Sequence, residues 1–211
     1  SLIPDNVITR PEQYVGVTTY RGTGSLRDVN VGMQPDLVWI KRRDATQSNI
    51  IVDVLRGPTN ELNSDGTGGE ATFSRNVTAF NSDGFRVWDG NPNATNGDFV
   101  TWTWKAGGTP TATNDNTSGA MDANSVSIDG VLQSAYTPSG SPSIYPKKMS
   151  IGTKQGFSII QWTDANGAQT LPHGLSQAPD FILIKDLGAS VNWSVYHKAI
   201  GTGKSLYSNN H

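Results

Sequence analysis

Few residues in this chain are equipped for chemistry. There are three His, at positions 173, 197 and 211, and no Cys. None of the His pairs closely with another His or with a Cys, so a zinc site is not expected, and thiol nucleophiles and disulfides are excluded. His173 and His197 sit inside repeated motifs, where turn or packing roles account for them. A Ser-His-Asp set is recognised by geometry rather than chain order, but no Gly-x-Ser-x-Gly elbow occurs. Glycoside hydrolysis needs two carboxylates flanking the scissile bond. Glu occurs only at 12, 61 and 70, and Asp65, Asp83, Asp89 and Asp129 each precede Gly, as turn residues do. The loop Asp89-Gly90-Asn91-Pro92-Asn93 alternates oxygen side chains as calcium loops do, yet it lacks the Gly and the distal Glu of an EF-hand. The Gly-rich stretches 22–24 and 66–69 are not followed by the Lys-Ser/Thr of a P-loop. Lys41-Arg42-Arg43 reads as a solvated basic turn. No catalytic residue, metal or cofactor is therefore expected.

The aromatic residues carry more information. Trp88 ends a strand-like run and enters the polar loop 88–97. A Trp at such a place can stack its apolar face on a sugar ring while neighbouring amides and carboxylates bond the hydroxyls. Trp88, Asp89, Asn91 and Asn93 are the candidate glycan-contact residues. Val100, Trp102 and Trp104 share one face of another run, with Thr101, Thr103 and Lys105 on the other. The Trp face is expected to be a buried core stripe. Four Asn-x-Ser/Thr sequons, at Asn76, Asn93, Asn116 and Asn192, follow from a composition rich in those residues.

The elements that must position these side chains are strands. No segment sustains a 3.6-residue apolar period. Short runs rich in β-branched and aromatic residues cover 14–20, 37–40, 49–55, 85–88, 99–104, 157–162, 181–184 and 193–196. Asp-Gly and Asn-Gly pairs at 65, 83, 89, 129 and 166 punctuate them. The fold class is all-β, as tandem β-sandwich-like units of the jelly-roll or lectin-like kind.

The chain also repeats itself. Pro35-Asp36-Leu37-Val38-Trp39-Ile40-Lys41 recurs as Pro179-Asp180-Phe181-Ile182-Leu183-Ile184-Lys185, 144 residues on. Residues 49–52 align with 192–195, 62–64 with 206–208, and 14–20 with 157–162. The duplicated unit reads as a folding motif: Pro opens a strand, four apolar residues mark burial on both faces, and Lys returns to water. The expected layout is an N-terminal extension 1–13, a first unit 14–106, and a polar Gly/Ser/Thr/Pro-rich linker 107–155 with a small hairpin at 126–132. A second unit, 156–211, lacks counterparts of 73–87 and 99–108. Leu37, Trp39, Phe181 and Leu183 are expected to be largely buried in equivalent strands. The second unit's unmatched strands imply either a piece of a longer chain or a neighbouring subunit that completes it.

Composition narrows the functional classes. Sixteen Lys and Arg against 18 Asp and Glu give a net charge of -2, with no electrostatic footprint for nucleic acid. No apolar run approaches the length of a membrane helix, so no membrane insertion is expected. Charged residues make up 16%, against about 25% in ordinary soluble domains. Ser, Thr, Asn and Gly take their place, the palette of extracellular and virion β-proteins.

At these motifs the chain resembles the repeat-containing, lectin-like tail-fibre and virion structural proteins of tailed bacteriophages, common in marine and cyanobacterial phages. The resemblance rests on residues 32–41, Asp53-Val54-Leu55-Arg56-Gly57, Ser82-Asp83-Gly84-Phe85, Trp102 to Gly108, His173-Gly174-Leu175, residues 179–185 and Trp193-Ser194-Val195-Tyr196-His197. It implies a non-enzymatic virion protein of a tail or fibre, less so a capsid decoration. Its expected partners are other virion proteins, copies of itself (most often three) and a host-surface glycan or protein. The alternatives are a glycan-degrading tailspike enzyme and a carbohydrate-binding module of a secreted bacterial protein.

Overall fold

A computed structural model describes residues 10–164, 166–201 and 203–209. His211 and positions 1–9 of the N-terminal extension lie outside the described residues. The chain is all-β, built from sheets whose strands pair antiparallel except for one parallel pair, arranged as sandwich-like layers. In chain order the strands are β1 (Val15–Arg21), β2 (Arg27–Asn30), β3 (Leu37–Arg42), β4 (Ile50–Asp53), β5 (Gly57–Leu62), β6 (Ala71–Thr72), β7 (Val77–Asn81), β8 (Gly84–Val87) and β9 (Asp98–Trp104) in the first unit. There follow β10 (Val126–Ile128), β11 (Val131–Leu132), β12 (Lys148–Gly152), β13 (Phe157–Gln161), β14 (Phe181–Ile184), β15 (Ser194–His197) and β16 (Leu206–Tyr207).

The first unit is a sandwich. A six-stranded sheet, in the order β1-β9-β3-β4-β5-β6, stacks on the three-stranded sheet β2-β8-β7. Between them lies a core of Val29, Val38, Ile40, Ile50, Val52, Val77, Phe85, Val87 and Phe99. Strand alternation sends Val38 and Ile40 into that core and Leu37 and Trp39 to the opposite, outer face. The register carries the same division across the sheet, because Val17, Trp102, Trp39, Ile51 and Leu62 stand opposite one another on successive strands.

That register overturns one expectation. Phe99, Thr101 and Thr103 are the buried residues of β9, and Trp102 and Trp104 stand half-buried on the outer face. The inner layer is already filled by aromatics from other positions. Tyr20 stacks on Phe99 with ring centroids 5.2 Å apart and meets Phe85 edge-on at 6.3 Å. Small β-branched side chains fit beside them, and indoles would overpack the layer.

Residues 107–155, expected as a linker, supply three strands of a four-stranded sheet, β11-β10-β12-β13, which β13 of the expected second unit completes and which has its own core of Met121, Val126, Met149 and Ile151. The short apolar runs of β10 and β12 are separated by polar turns, which hid the sheet in the sequence. The expected hairpin is there: Ser127 pairs with Leu132 and Ile128 with Val131, and Asp129 and Gly130 both take positive φ, 49° and 88°, as a type I′ turn requires. The joint to the first sandwich is buried. Gly107 donates its N–H to Ser150 Oγ, and a side chain at Gly107 would collide with backbone atoms of Ser127 and Ile151. Asp36 Oδ2 accepts from the Ala106 and Gly108 N–H groups at 2.7 and 3.0 Å.

The third sheet, β14-β15-β16, is the repeat of β3-β4-β5. Val38 pairs with Val52 and Ile182 with Tyr196; Trp39 pairs with Ile51 and Leu183 with Val195; Ile51 meets Leu62 and Val195 meets Leu206. Every equivalence holds at an offset of 144. The sequence alignment of 49–52 with 192–195 was therefore one residue out, a slip that would have turned each side chain to the other face. The polar contacts repeat too. Asn49 N–H donates to Asp65 Oδ1, and Trp193 N–H to Asn209 Oδ1. Asp53 Oδ1 caps the Leu55 N–H, and His197 Nδ1 caps the Ala199 N–H.

The two copies pack against each other. Trp193, almost fully buried, joins Ile51 and Leu62 on the outer face of the first sheet, with Leu183 and Leu187 beside it. Its indole Nε1–H donates to the Asn63 carbonyl at 2.9 Å. The expected burial of Phe181 does not hold, since it is 55% exposed, and Ile182 and Ile184 are exposed as well. Leu37, Trp39 and Leu183 are half-buried.

Candidate functional site

The second copy covers only part of the outer face of the six-stranded sheet. Toward β4 and β5 it lies under Trp193. Toward β1 it is open, and Val17 is 63% exposed. Between the two regions runs a groove of about 510 Å³, lined by Trp39, Lys41, Asn49, Trp102 and Trp104. Strand geometry builds it directly. Trp39 and Trp102 are cross-strand partners with ring centroids 6.3 Å apart at 63°. Trp104 lies two residues further along β9 and stacks on Phe157 of the second sheet at 6.4 Å. Lys41 follows Trp39 on the same face of β3.

The polar groups of the groove are two. Lys41 Nζ donates to the Gln47 carbonyl at 2.5 Å, which fixes the ammonium at the end of the hairpin β3–β4. No carboxylate among the described residues forms an ion pair with it. Asn49 uses its backbone N–H on Asp65 and its carbonyl on Asn63 Nδ2, leaving its side-chain amide uncommitted among the described residues. Three half-buried indoles, one cation and one amide make an apolar platform with directional polar groups at its edge.

The loop singled out from sequence is arranged differently. Trp88 is 42% exposed, and Arg75 lies over its ring, 5.0 Å from the centroid. The same Arg75 forms an ion pair with Asp89. Asn93 is completely buried. Its amide donates to the Trp88 and Ser25 carbonyls at 2.5 and 2.7 Å, and its Oδ1 accepts the Thr23 N–H. Asn91 is exposed in side chain, and its N–H bonds Asn76 Oδ1. The four residues are thus neighbours, but Asn93 is a latch inside the loop and Asp89 is engaged by Arg75. The groove residues were missed because the stripe Trp102/Trp104 was assigned to the core. The signal that identifies them is the shared register of Trp39 and Trp102, which needs the strand pairing and not the sequence alone.

The remaining candidates are structural. His173 Nδ1 accepts the Leu175 N–H, and His197 caps the turn that follows β15. Among the described residues no cluster of three or more His, Asp and Glu side chains can hold a metal ion. Arg56 of the motif Asp53-Val54-Leu55-Arg56-Gly57 is a buried clamp. Its guanidinium donates to Asp53 Oδ2 at 2.7 Å, Glu70 Oε2 at 3.2 Å and the Asn60 and Ile51 carbonyls. Glu61 is buried beside it, and burial pushes its carboxyl up to about 7, against the opposing pull of Asn76 and Arg56. Among the described residues no helix is long and apolar enough to cross a membrane.

One family model, described as a domain of unknown function (DUF7483), matches the chain twice, over residues 10–141 and over residues 133–210. Each match contains one copy of the repeated three-stranded unit. No curated protein and no solved structure matches the chain.

Proposed function

The chain belongs to the DUF7483 family, and we propose that it is a non-enzymatic structural and adhesive protein of a phage virion, tail-fibre-like, that holds a host-surface glycan. The observation that carries the adhesive reading is the open groove of Trp39, Trp102 and Trp104. Sugar rings present apolar C–H faces that stack on indoles, and the flanking Lys41 and Asn49 supply donors for ring hydroxyls. The virion setting is what the resemblance of the repeat motifs implies. The glycan contact moves from the Trp88 loop to the groove, because the groove offers three rings and uncommitted polar groups.

A glycan-degrading tailspike is the weaker reading, since no carboxylate lines the groove and the buried Glu61 lies away from it. A carbohydrate-binding module of a secreted bacterial protein would use the same groove. Association with other copies of the chain is supported by the exposed apolar side chains Ile182, Ile184 and Tyr207 on the second copy of the repeat. A trimer is the form the resemblance implies.

The test is adhesion of the purified protein to host cells. Wild type and the Trp88→Ala variant should bind alike, Trp102→Ala should lose binding while keeping its fold, and no reducing sugar should be released. Binding retained by Trp102→Ala would remove the groove from the account, and sugar release would replace adhesion by hydrolysis. Detection of the chain in purified virions separates the phage reading from a secreted module.

A further inference from the structure

We infer that the groove is selective for anionic saccharides, those carrying a carboxylate or sulfate, with Lys41 as the group that reads the charge. The inference rests on the glycan reading of the groove and names the ligand class.

The reasoning begins with the contents of the groove. Of its five lining residues, one is charged, and it is positive. Several charged side chains of the neighbouring strands and loops are engaged elsewhere. Arg42 pairs with Asp44 at 2.8 Å, and its guanidinium stands over Phe99 on the inner side of the sheet. Lys105 donates to the Gln34 carbonyl, Lys148 to the Leu55 carbonyl, and Lys147 pairs with Asp115. Asp65, the carboxylate nearest the groove by hydrogen bonding, accepts the Asn49 N–H. Lys41 has no carboxylate partner among the described residues. It gives one N–H to Gln47 and keeps two donors for a ligand.

An ammonium beside indole rings is also partly shielded from water, so an anion that reaches it exchanges less solvation than it would at an open surface. Fixing Lys41 to the Gln47 carbonyl removes much of the rotamer entropy that a free Lys would lose on binding. The second copy of the repeat supplies a contrast within the same molecule. Lys185 occupies the position of Lys41 and donates to the Ala189 and Asp186 carbonyls. Leu183 stands in place of Trp39, Trp193 stands in place of Asn49, and among the described residues no strand equivalent to β9 lies beside it. The cation is present in both copies, but the aromatic platform and free amide accompany it only in the first. An anion site on an aromatic floor therefore belongs to the first copy alone.

The experiment uses the whole chain and matched ligands: a glycan array containing acidic and neutral members, then calorimetric titration of sialyllactose against lactose and of sulfated against unsulfated dextran oligomers. The acidic member of a pair is expected to bind about tenfold more tightly. Raising the salt from 0.05 to 0.5 M should weaken the acidic member only. Lys41→Met should erase the difference between acidic and neutral members while the protein stays folded, and Lys41→Arg should keep part of the preference. Equal binding of acidic and neutral members, abolished by Trp102→Ala, overturns the charge selectivity while the glycan reading stands. A preference that survives Lys41→Met overturns the role of Lys41. No binding of any array member removes the glycan reading and this inference together.

Discussion

The two copies of the three-stranded unit share register and hydrogen bonds and differ in what covers them. Val38, Ile40, Ile50 and Val52 of β3 and β4 are sealed under the sheet β2-β8-β7. Their equivalents Ile182, Ile184, Ser194 and Tyr196 carry no such sheet among the described residues, and Ile182 and Ile184 are exposed. The outer faces differ in the opposite sense. The first copy presents Trp39 and Asn49 to an open groove, whereas the second places Leu183 and Trp193 in the joint between copies. Backbone geometry is thus preserved by the strand pattern, and the use of each face is set by which neighbouring strands exist. One copy became a sandwich with a free aromatic surface, and the other became its buttress.

The clamp of the first copy has no counterpart in the second, where Ile200 stands at the position of Arg56. Arg56→Ala should destabilise the first sandwich by about 3–5 kcal/mol, because Asp53 is left buried without its partner. Chemical denaturation measures it, and a loss below about 1 kcal/mol would mean that the clamp adds nothing to the difference between the copies. Core truncation comes next. Val38→Ala should cost about 2 kcal/mol, while the equivalent Ile182→Ala should cost less than about 1 kcal/mol. Equal costs would show that the second copy is covered in solution.

A smaller effect is pH-dependent. The Glu61 carboxyl, ordinarily near 4.5, is pushed up to about 7 by burial, so the folded state holds its proton more tightly than the unfolded state. The stability this contributes is fully present below about pH 4.5 and is lost as the pH rises to about 7. Glu61→Gln should match wild type near pH 4.5 and exceed it by about 1–2 kcal/mol at pH 8. Denaturation at the two pH values checks it, and an unchanged difference would place the titration elsewhere. Truncation at the groove itself acts on a half-buried ring. Trp39→Ala should cost only about 2 kcal/mol, since the ring is half-buried, against the about 3–5 kcal/mol of a fully enclosed indole.

Much of this molecule is legible in its sequence. The heptad at 35–41 and its recurrence give the strand β3 and its copy β14, because consecutive apolar residues bounded by Pro and Lys have few other readings. The hairpin at 126–132 follows from Asp129-Gly130. Strands β2 and β5 are harder to see, for they read Arg-Asp-Val-Asn and Gly-Pro-Thr-Asn-Glu-Leu and bury few side chains. The four-stranded sheet escaped because its short strands β10 and β12 are separated by polar turns and its last strand, β13, lies beyond residue 155. The site failed at a single inference, that a Trp stripe faces inward. Alternation shows that Trp102 and Thr101 point to opposite faces, but not which face is inside. That choice depends on Tyr20 and Phe85, which come from other strands and fill the inner layer beside Phe99 of β9 itself. In the same way, Asn93 could not be recognised as a latch until Thr23 and Ser25 were brought to it across about 70 residues of chain.

The six Trp residues make the central claim directly measurable. Each indole N–H gives one resonance in a proton–nitrogen correlation spectrum, assignable by single Trp→Phe substitutions. On titration with the tightest-binding member of the glycan array, the signals of Trp39, Trp102 and Trp104 should shift together and saturate with one affinity, while those of Trp88 and Trp193 stay in place. Shifts centred on Trp88, with the three groove indoles unmoved, would contradict the account and return the binding site to the loop 88–97.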